Sequence, residues 1–118
     1  MSDVINVDEL KKKISAFAKE RDWEQFHTPK NLACALSVEA SELLEVFQWM
    51  SEAEQVNISI EKKEAIAEEL SDILTYAVRL AGILDINLSD SIKKKIEKNA
   101  KKYPAELVRG SSKKYDEY

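Results

Sequence analysis

Two pairs of acids stand three residues apart, Glu39 with Glu42 and Glu69 with Asp72. On an α-helix, residues i and i+3 share a face, so each pair aims two carboxylates the same way. The residues around the first pair make the placement unusual. Leu32, Leu43, Phe47 and Met50 fall within about 40° of Leu36 on a helical projection. Glu39 lies about 60° from Leu36, between Met50 and Val46 and inside this apolar sector. Glu42 sits at its edge. Glu45 repeats the spacing but points to the opposite face. In the second segment Glu69, Asp72 and Tyr76 form a stripe along one border of an apolar face, while Glu68 and Arg79 point away from the core. Carboxylates in apolar surroundings are costly when unpaired, and four together repel. A divalent cation balances them, and hard oxygen donors suit Mg²⁺, with Mn²⁺ as the alternative. A di-iron centre wants Glu-x-x-His twice, and the single histidine, His27, is not in that motif. In a chain with 34% charged residues the same spacing also arises on wet helix faces; what sets these pairs apart is that both abut apolar faces.

A basic run complements the acids. KKKIEKNAKKYP, residues 93–104, carries six lysines against Glu97 alone. Lys95, Asn99 and Tyr103 recur at i, i+4 and i+8, one cation and two hydrogen-bond donors in a line suited to phosphate oxygens. The alternative is a solvated helix end that complements the macrodipole. Trp49 and Tyr76 lie within two turns of the acids and can stack on a flat base; Trp23 and Phe26 are the other conspicuous aromatics. Packing in a core is the other use of such rings.

The elements that carry these residues are helices. The chain of 118 residues is the length of one domain, and it holds 2 glycines and 2 prolines, too few to turn a multi-stranded sheet. Asn6 caps a first helix from about Val7 to Arg21, with Glu9 completing a capping box. Thr28-Pro29 opens a second, to about Met50. A polar loop is expected over Ser51–Ser59. Ser59 caps a third helix ending near Gly82 or Leu84. A fourth begins after Asn87 and stops at Tyr103, before Pro104. The expected fold is thus all-α, about four helices per chain, with residues 1–104 as the domain and 105–118 as a polar tail or docking arm. The apolar sectors of the second and third helices exceed what one small chain can cover, so burial is expected to be completed in a homo-oligomer.

A formal charge of −4 argues against nucleic acid as a partner. No apolar run approaches the roughly 20 residues that span a bilayer, so no membrane partner is expected. MSDVINVDELKKK lacks the apolar core of a signal peptide, and the one cysteine, Cys34, excludes an intrachain disulfide. A cytoplasmic location is the corresponding expectation.

Taken together, RDWEQFHTPKNLA (21–33), EASELLEVFQW (39–49), EELSDILTYAVRLA (68–81) and KKKIEKNAKKYP (93–104) resemble the MazG-like, all-α nucleoside triphosphate pyrophosphatases, with DWEQFH and FQW pointing to the dCTP pyrophosphatase branch. The resemblance runs in order to Pro104. It implies a helical bundle built from dimers, commonly a tetramer, with Mg²⁺ on Glu39, Glu42, Glu69 and Asp72. It also implies phosphate contacts from Lys95, Asn99 and Tyr103, and a base-side set of Trp23, Trp49 and Tyr76 extended by Asn31 and His27. The implied reaction cleaves a nucleoside triphosphate, dCTP or a modified dCTP, to monophosphate and pyrophosphate, cleansing the nucleotide pool. One of the acids would serve as general base, and Lys95 would stabilise the leaving group. The motif reads Glu-Ala-Ser-Glu where glycine often precedes the second acid; Ser41 is a small replacement. Related folds act on dUTP or phosphoribosyl-ATP, and a non-catalytic, dimerising helical adaptor would use the same apolar faces.

Overall fold

A computed structural model describes residues 5–111, and every regular element among them is helical. Helix α1 spans Val7–Glu20, a 3₁₀ turn covers Glu24–Phe26, and α2 runs Pro29–Phe47. A short α3, Glu52–Val56, precedes the long α4, Ile60–Ile83; α5 spans Leu88–Lys102 and α6 Ala105–Val108. No helix among the described residues is long and apolar enough to cross a membrane.

The starts follow from capping chemistry. Asn6, Thr28, Ser59 and Asn87 each accept a hydrogen bond from the backbone N–H three residues on, at 3.1–3.3 Å. The loop expected over 51–59 is corrected in its middle, where α3 forms. Ser51 accepts from the N–H of Glu54 at 3.2 Å and its hydroxyl donates to the Glu54 carboxylate. The stretch is polar, but Ser-x-x-Glu is itself a helix start. Helix α2 ends at Phe47, three residues before its expected end.

The stops are made without glycine. After α1, Asp22 takes φ 55°, and after α4, Asp85 takes φ 54°. Each follows a Schellman pattern: Trp23 N–H bonds Ala18 C=O at 2.9 Å, and Ile86 N–H bonds Ala81 C=O at 2.8 Å. Aspartate tolerates the left-handed region better than most residues, which lets a chain so poor in glycine turn sharply twice. Gly82 serves a different purpose. A Cβ there would lie 3.2 Å from Cε of Lys11, so this is where the stem of Lys11 on α1 lies across α4.

Packing divides the chain after Ile86 into two units. In the first, α4 lies along α2 in the most extensive helix contact and meets α1 elsewhere on its surface. Among the described residues the buried side chains are few: Ala18, Leu32, Val78 and Ala81. Val38 and Leu44 on α2 and Leu70 and Leu74 on α4 remain exposed. The second unit holds α5 and α6. Tyr103 closes α5 by donating its N–H to Asn99 C=O at 2.8 Å. Of the expected tail, 105–118, the first residues form α6, and 112–118 lie outside the described residues.

Candidate active site

The α2–α4 seam brings the acids together. Glu39, Glu69 and Asp72 place one carboxylate oxygen each within 4.8 Å of one another. Glu39 and Glu69 are half-buried and Asp72 is exposed. With both glutamates ionised, Oε2 of each is buried without a hydrogen-bond partner. Carboxylates have no proton to donate, so neighbours can bond only by sharing one. That interaction with Glu69 comes first in pushing Glu39 above the ordinary carboxylate range; burial and the charge of Asp72 add to it. Glu42, on the exposed edge, is also pushed up, chiefly by Glu39. In this unit the ion pair formed among the described residues joins Arg21 to Glu20, away from the seam. Two buried oxygens without donors, beside two more acids and no cation, fit a hard divalent ion. Ser41, between Glu39 and Glu42, turns its hydroxyl back to Ser37 C=O at 3.1 Å.

Asp72 also lines a cavity of about 300 Å³ between α1, α4 and the 3₁₀ turn. Its walls are Ile14, Phe17, Ala18, Trp23, His27, Thr75, Tyr76 and Arg79 beside Asp72. The Asp22 turn sets Trp23 against Phe17, edge to face at 5.8 Å between centroids, and Arg21 stacks on the outer ring, 3.6 Å from the centroid of Phe17. Gln25 ties to Asp22, and the side chain of Asn31 donates to Phe26 C=O at 3.0 Å. Asn31 therefore braces the loop that presents His27. Arg79 Nε–H donates to His27 Nδ1 at 3.1 Å. Burial first, and then the charge of Arg79, hold His27 below the ordinary imidazole range, with Glu24 opposing.

Of the sequence-derived set, the first unit thus gathers Glu39, Glu69 and Asp72, with Glu42 beside them, and Trp23, His27 and Tyr76 around the cavity. Trp49 lies outside that cavity and is 86% exposed. Lys95, Asn99 and Tyr103 belong to the second unit, on one face of α5 and its cap. Arg79, expected to point away from the core, is corrected to a part-buried cavity residue. Phe17, Thr75 and Arg79 were missed. A signal existed in the spacing of Asp72, Thr75, Tyr76 and Arg79, one continuous face of α4.

A sequence profile of the MazG-like family matches residues 34–118. The chain belongs to the MazG-like family. Among curated relatives it is 44% identical to dCTP pyrophosphatase 1 of Rattus norvegicus over 111 residues, 92% of this chain and 65% of the relative. It is 42% identical to dCTP pyrophosphatase 1 of Homo sapiens over 113 residues, 94% of this chain and 66% of the relative. The MazG-like chain therefore spans just under two thirds of the length of these relatives. A crystal structure of a pyrophosphatase from Archaeoglobus fulgidus superimposes with a TM-score of 0.78 at 38% identity, covering 88% of this chain and 97% of that one.

Proposed function

We propose that this chain is a nucleotide pyrophosphohydrolase that cleaves a nucleoside triphosphate, dCTP or a modified dCTP, to the monophosphate and pyrophosphate. The observation that carries this reading is Asp72, shared between an acid cluster with unpartnered buried oxygens and a cavity walled by aromatic rings. A triphosphate on the acid side and a base on the aromatic side need that adjacency. The names of the relatives favour cytosine among the bases.

Glu39, Glu42, Glu69 and Asp72 would hold Mg²⁺, with Mn²⁺ as a substitute. A bound ion of this kind supplies neutralisation of the phosphate charge and a more acidic water. The acids themselves supply proton uptake: a carboxylate pushed upward is a better base near neutral pH, and one of these acids takes the proton of the attacking water. That water attacks phosphorus in line at the α–β bridge; the bridging P–O bond breaks, and pyrophosphate carries the electron pair away. Trp23 and Tyr76 flank the base. Lys95, Asn99 and Tyr103 are the proposed phosphate donors, Lys95 countering charge on the leaving group. Trp49, uncovered by its own chain, and the exposed leucines of α2 and α4 fit a homo-oligomer, dimer or tetramer. Residues 1–104 are the proposed catalytic part. Cleansing of the nucleotide pool in the cytoplasm is the matching role.

Pyrophosphate release from a panel of dNTPs, with and without Mg²⁺, is the test. Release that requires the cation and is fastest with dCTP is expected. Preference for dUTP would redirect the substrate, and no release from any nucleotide would leave a helical adaptor.

A further inference from the structure

The cavity contains one contact that this chemistry does not use. Arg79 and His27 are 52 residues apart in sequence, yet the Nε–H of Arg79 donates to Nδ1 of His27 at 3.1 Å, part-buried, and both side chains line the cavity. A guanidinium has five N–H donors and no acceptor, and it stays charged. The ring nitrogen that faces it must therefore carry the lone pair. A neutral imidazole held this way has its proton on Nε2. Among the described residues nothing accepts from the remaining N–H groups of Arg79. The pair thus offers the cavity donors: the guanidinium fork and the Nε2–H. His27 is placed for this from below by the 3₁₀ turn, donating its own N–H to Glu24 C=O at 3.2 Å.

Donors select for acceptors. Cytosine presents two adjacent acceptors, N3 and O2, on its pairing edge. Uracil and thymine carry hydrogen on N3, which would meet a donor and leave both groups without a partner, the mismatch that sites built for hydrogen bonding reject most strongly. Resting on the reading of the cavity as the base site, we propose that Arg79 is a positioning and specificity-determining residue. It locks His27 as the Nε2–H tautomer, and the pair selects a pyrimidine with a bare N3 over one that is protonated there.

The chain has 1 histidine, so its two ring nitrogen signals need no residue assignment, and their couplings to the ring carbon-bound hydrogens tell Nδ1 from Nε2. The test is made on the full chain with ¹⁵N-labelled histidine, in wild type and Arg79→Met, together with kcat and KM for dCTP and dUTP. Wild type should show a bare Nδ1 and a protonated Nε2. In Arg79→Met the two signals should move toward the tautomer mixture of a free imidazole. The dCTP-to-dUTP ratio of kcat/KM should fall at least about tenfold, mainly through KM for dCTP. Arg79→Leu, which likewise has no donor, makes the same test should Arg79→Met fail to fold. Unchanged ring nitrogens, or an altered tautomer with the substrate ratio unchanged, overturns the proposal. A wild type that hydrolyses no nucleotide would instead sink the functional reading, while the nitrogen spectra would still decide the Arg79–His27 lock.

Discussion

Two long sides of α4 do opposite things with charge. Along α2, Glu69 and Asp72 meet Glu39, and the described residues supply no cation; two oxygens are buried without partners. Toward α1, Arg79 finds His27, and Phe17, Trp23 and Tyr76 complete an aromatic wall. The first side is unbalanced without a ligand of positive charge. The second sets one guanidinium charge against a neutral imidazole beside a cavity of about 300 Å³. Asp72 belongs to both, so on the proposed reading the helix that carries it would set the distance between cation and base. The lesson is that incompleteness is informative: the acid seam buries oxygens that no described residue satisfies, whereas the cavity is marked by its shape and donor pattern.

The largest effects should come from breaking one side while sparing the other. Glu39→Gln removes a charge and keeps the shape, so turnover with Mg²⁺ should fall on the order of 10²–10³-fold, with KM for the nucleotide little changed. The cation-free protein should melt at the same temperature or higher, because a repulsion has gone. Trp23→Ala should do the reverse: KM rising about tenfold to a hundredfold, as loss of one stacked ring implies, with Mg²⁺ affinity intact. Steady-state kinetics paired with calorimetric Mg²⁺ titration reads both. If Trp23→Ala weakens Mg²⁺ binding and Glu39→Gln raises KM, the two sides are one site and the division fails.

The acid side was legible in the sequence because its signal is local. Three-residue spacing and an apolar sector point to Glu39, Glu69 and Asp72, and side-chain caps at Asn6, Thr28, Ser59 and Asn87 mark every long helix start. The other side was only half legible. Trp23 and Tyr76 stand out as aromatics, but Arg79, two turns from Asp72 on the same face, passes for an ordinary solvated charge because no spacing names its partner. Its partner, His27, reaches it through a 3₁₀ turn and an aspartate at φ 55°, neither of which has periodicity. Long-range contacts made by irregular backbone leave no repeat to find. A different reason hid α3, where a polar composition masked the local capping signal of Ser51 and Glu54.

Intermediate effects should appear in stability against pH, where the two sides carry opposite signs. Glu39 and Glu42 hold protons more tightly folded than unfolded, since their neighbours push them up. Without cation, their contribution to stability therefore declines as pH rises from the ordinary carboxylate range through their raised folded values. His27 holds its proton less tightly folded, by burial first and Arg79 second. Its contribution is fully present above about pH 6.5 and is lost as pH falls through the lowered folded value. In EDTA, Glu39→Gln should lift the neutral and alkaline limb of the melting curve by about 2–4 °C and leave the acid limb alone. His27→Gln should flatten the acid limb. Added Mg²⁺ should raise Tm at neutral pH in wild type and much less at pH 4.5, where protons compete for the same oxygens.

The smallest expected effect tests whether spacing or geometry defines the acid side. Glu42 and Glu45 satisfy the same i, i+3 pattern as Glu39 and Glu42, so a reading from spacing alone would admit Glu45 as a ligand. The structure groups the oxygens of Glu39, Glu69 and Asp72, and Glu45 stands exposed outside that group, felt only as a like charge by Glu42. Glu45→Gln should leave turnover within about twofold and Mg²⁺ affinity unchanged, since removing an exposed charge beyond the ligand set changes neither the donor count nor the burial of the others. The only directional expectation is a slight gain in cation-free stability from the lost repulsion. A loss of Mg²⁺ affinity in Glu45→Gln comparable to that in Glu39→Gln would mean that the ion sits further along α2, toward its C-terminal end, and that Asp72 does not join the metal side to the base side.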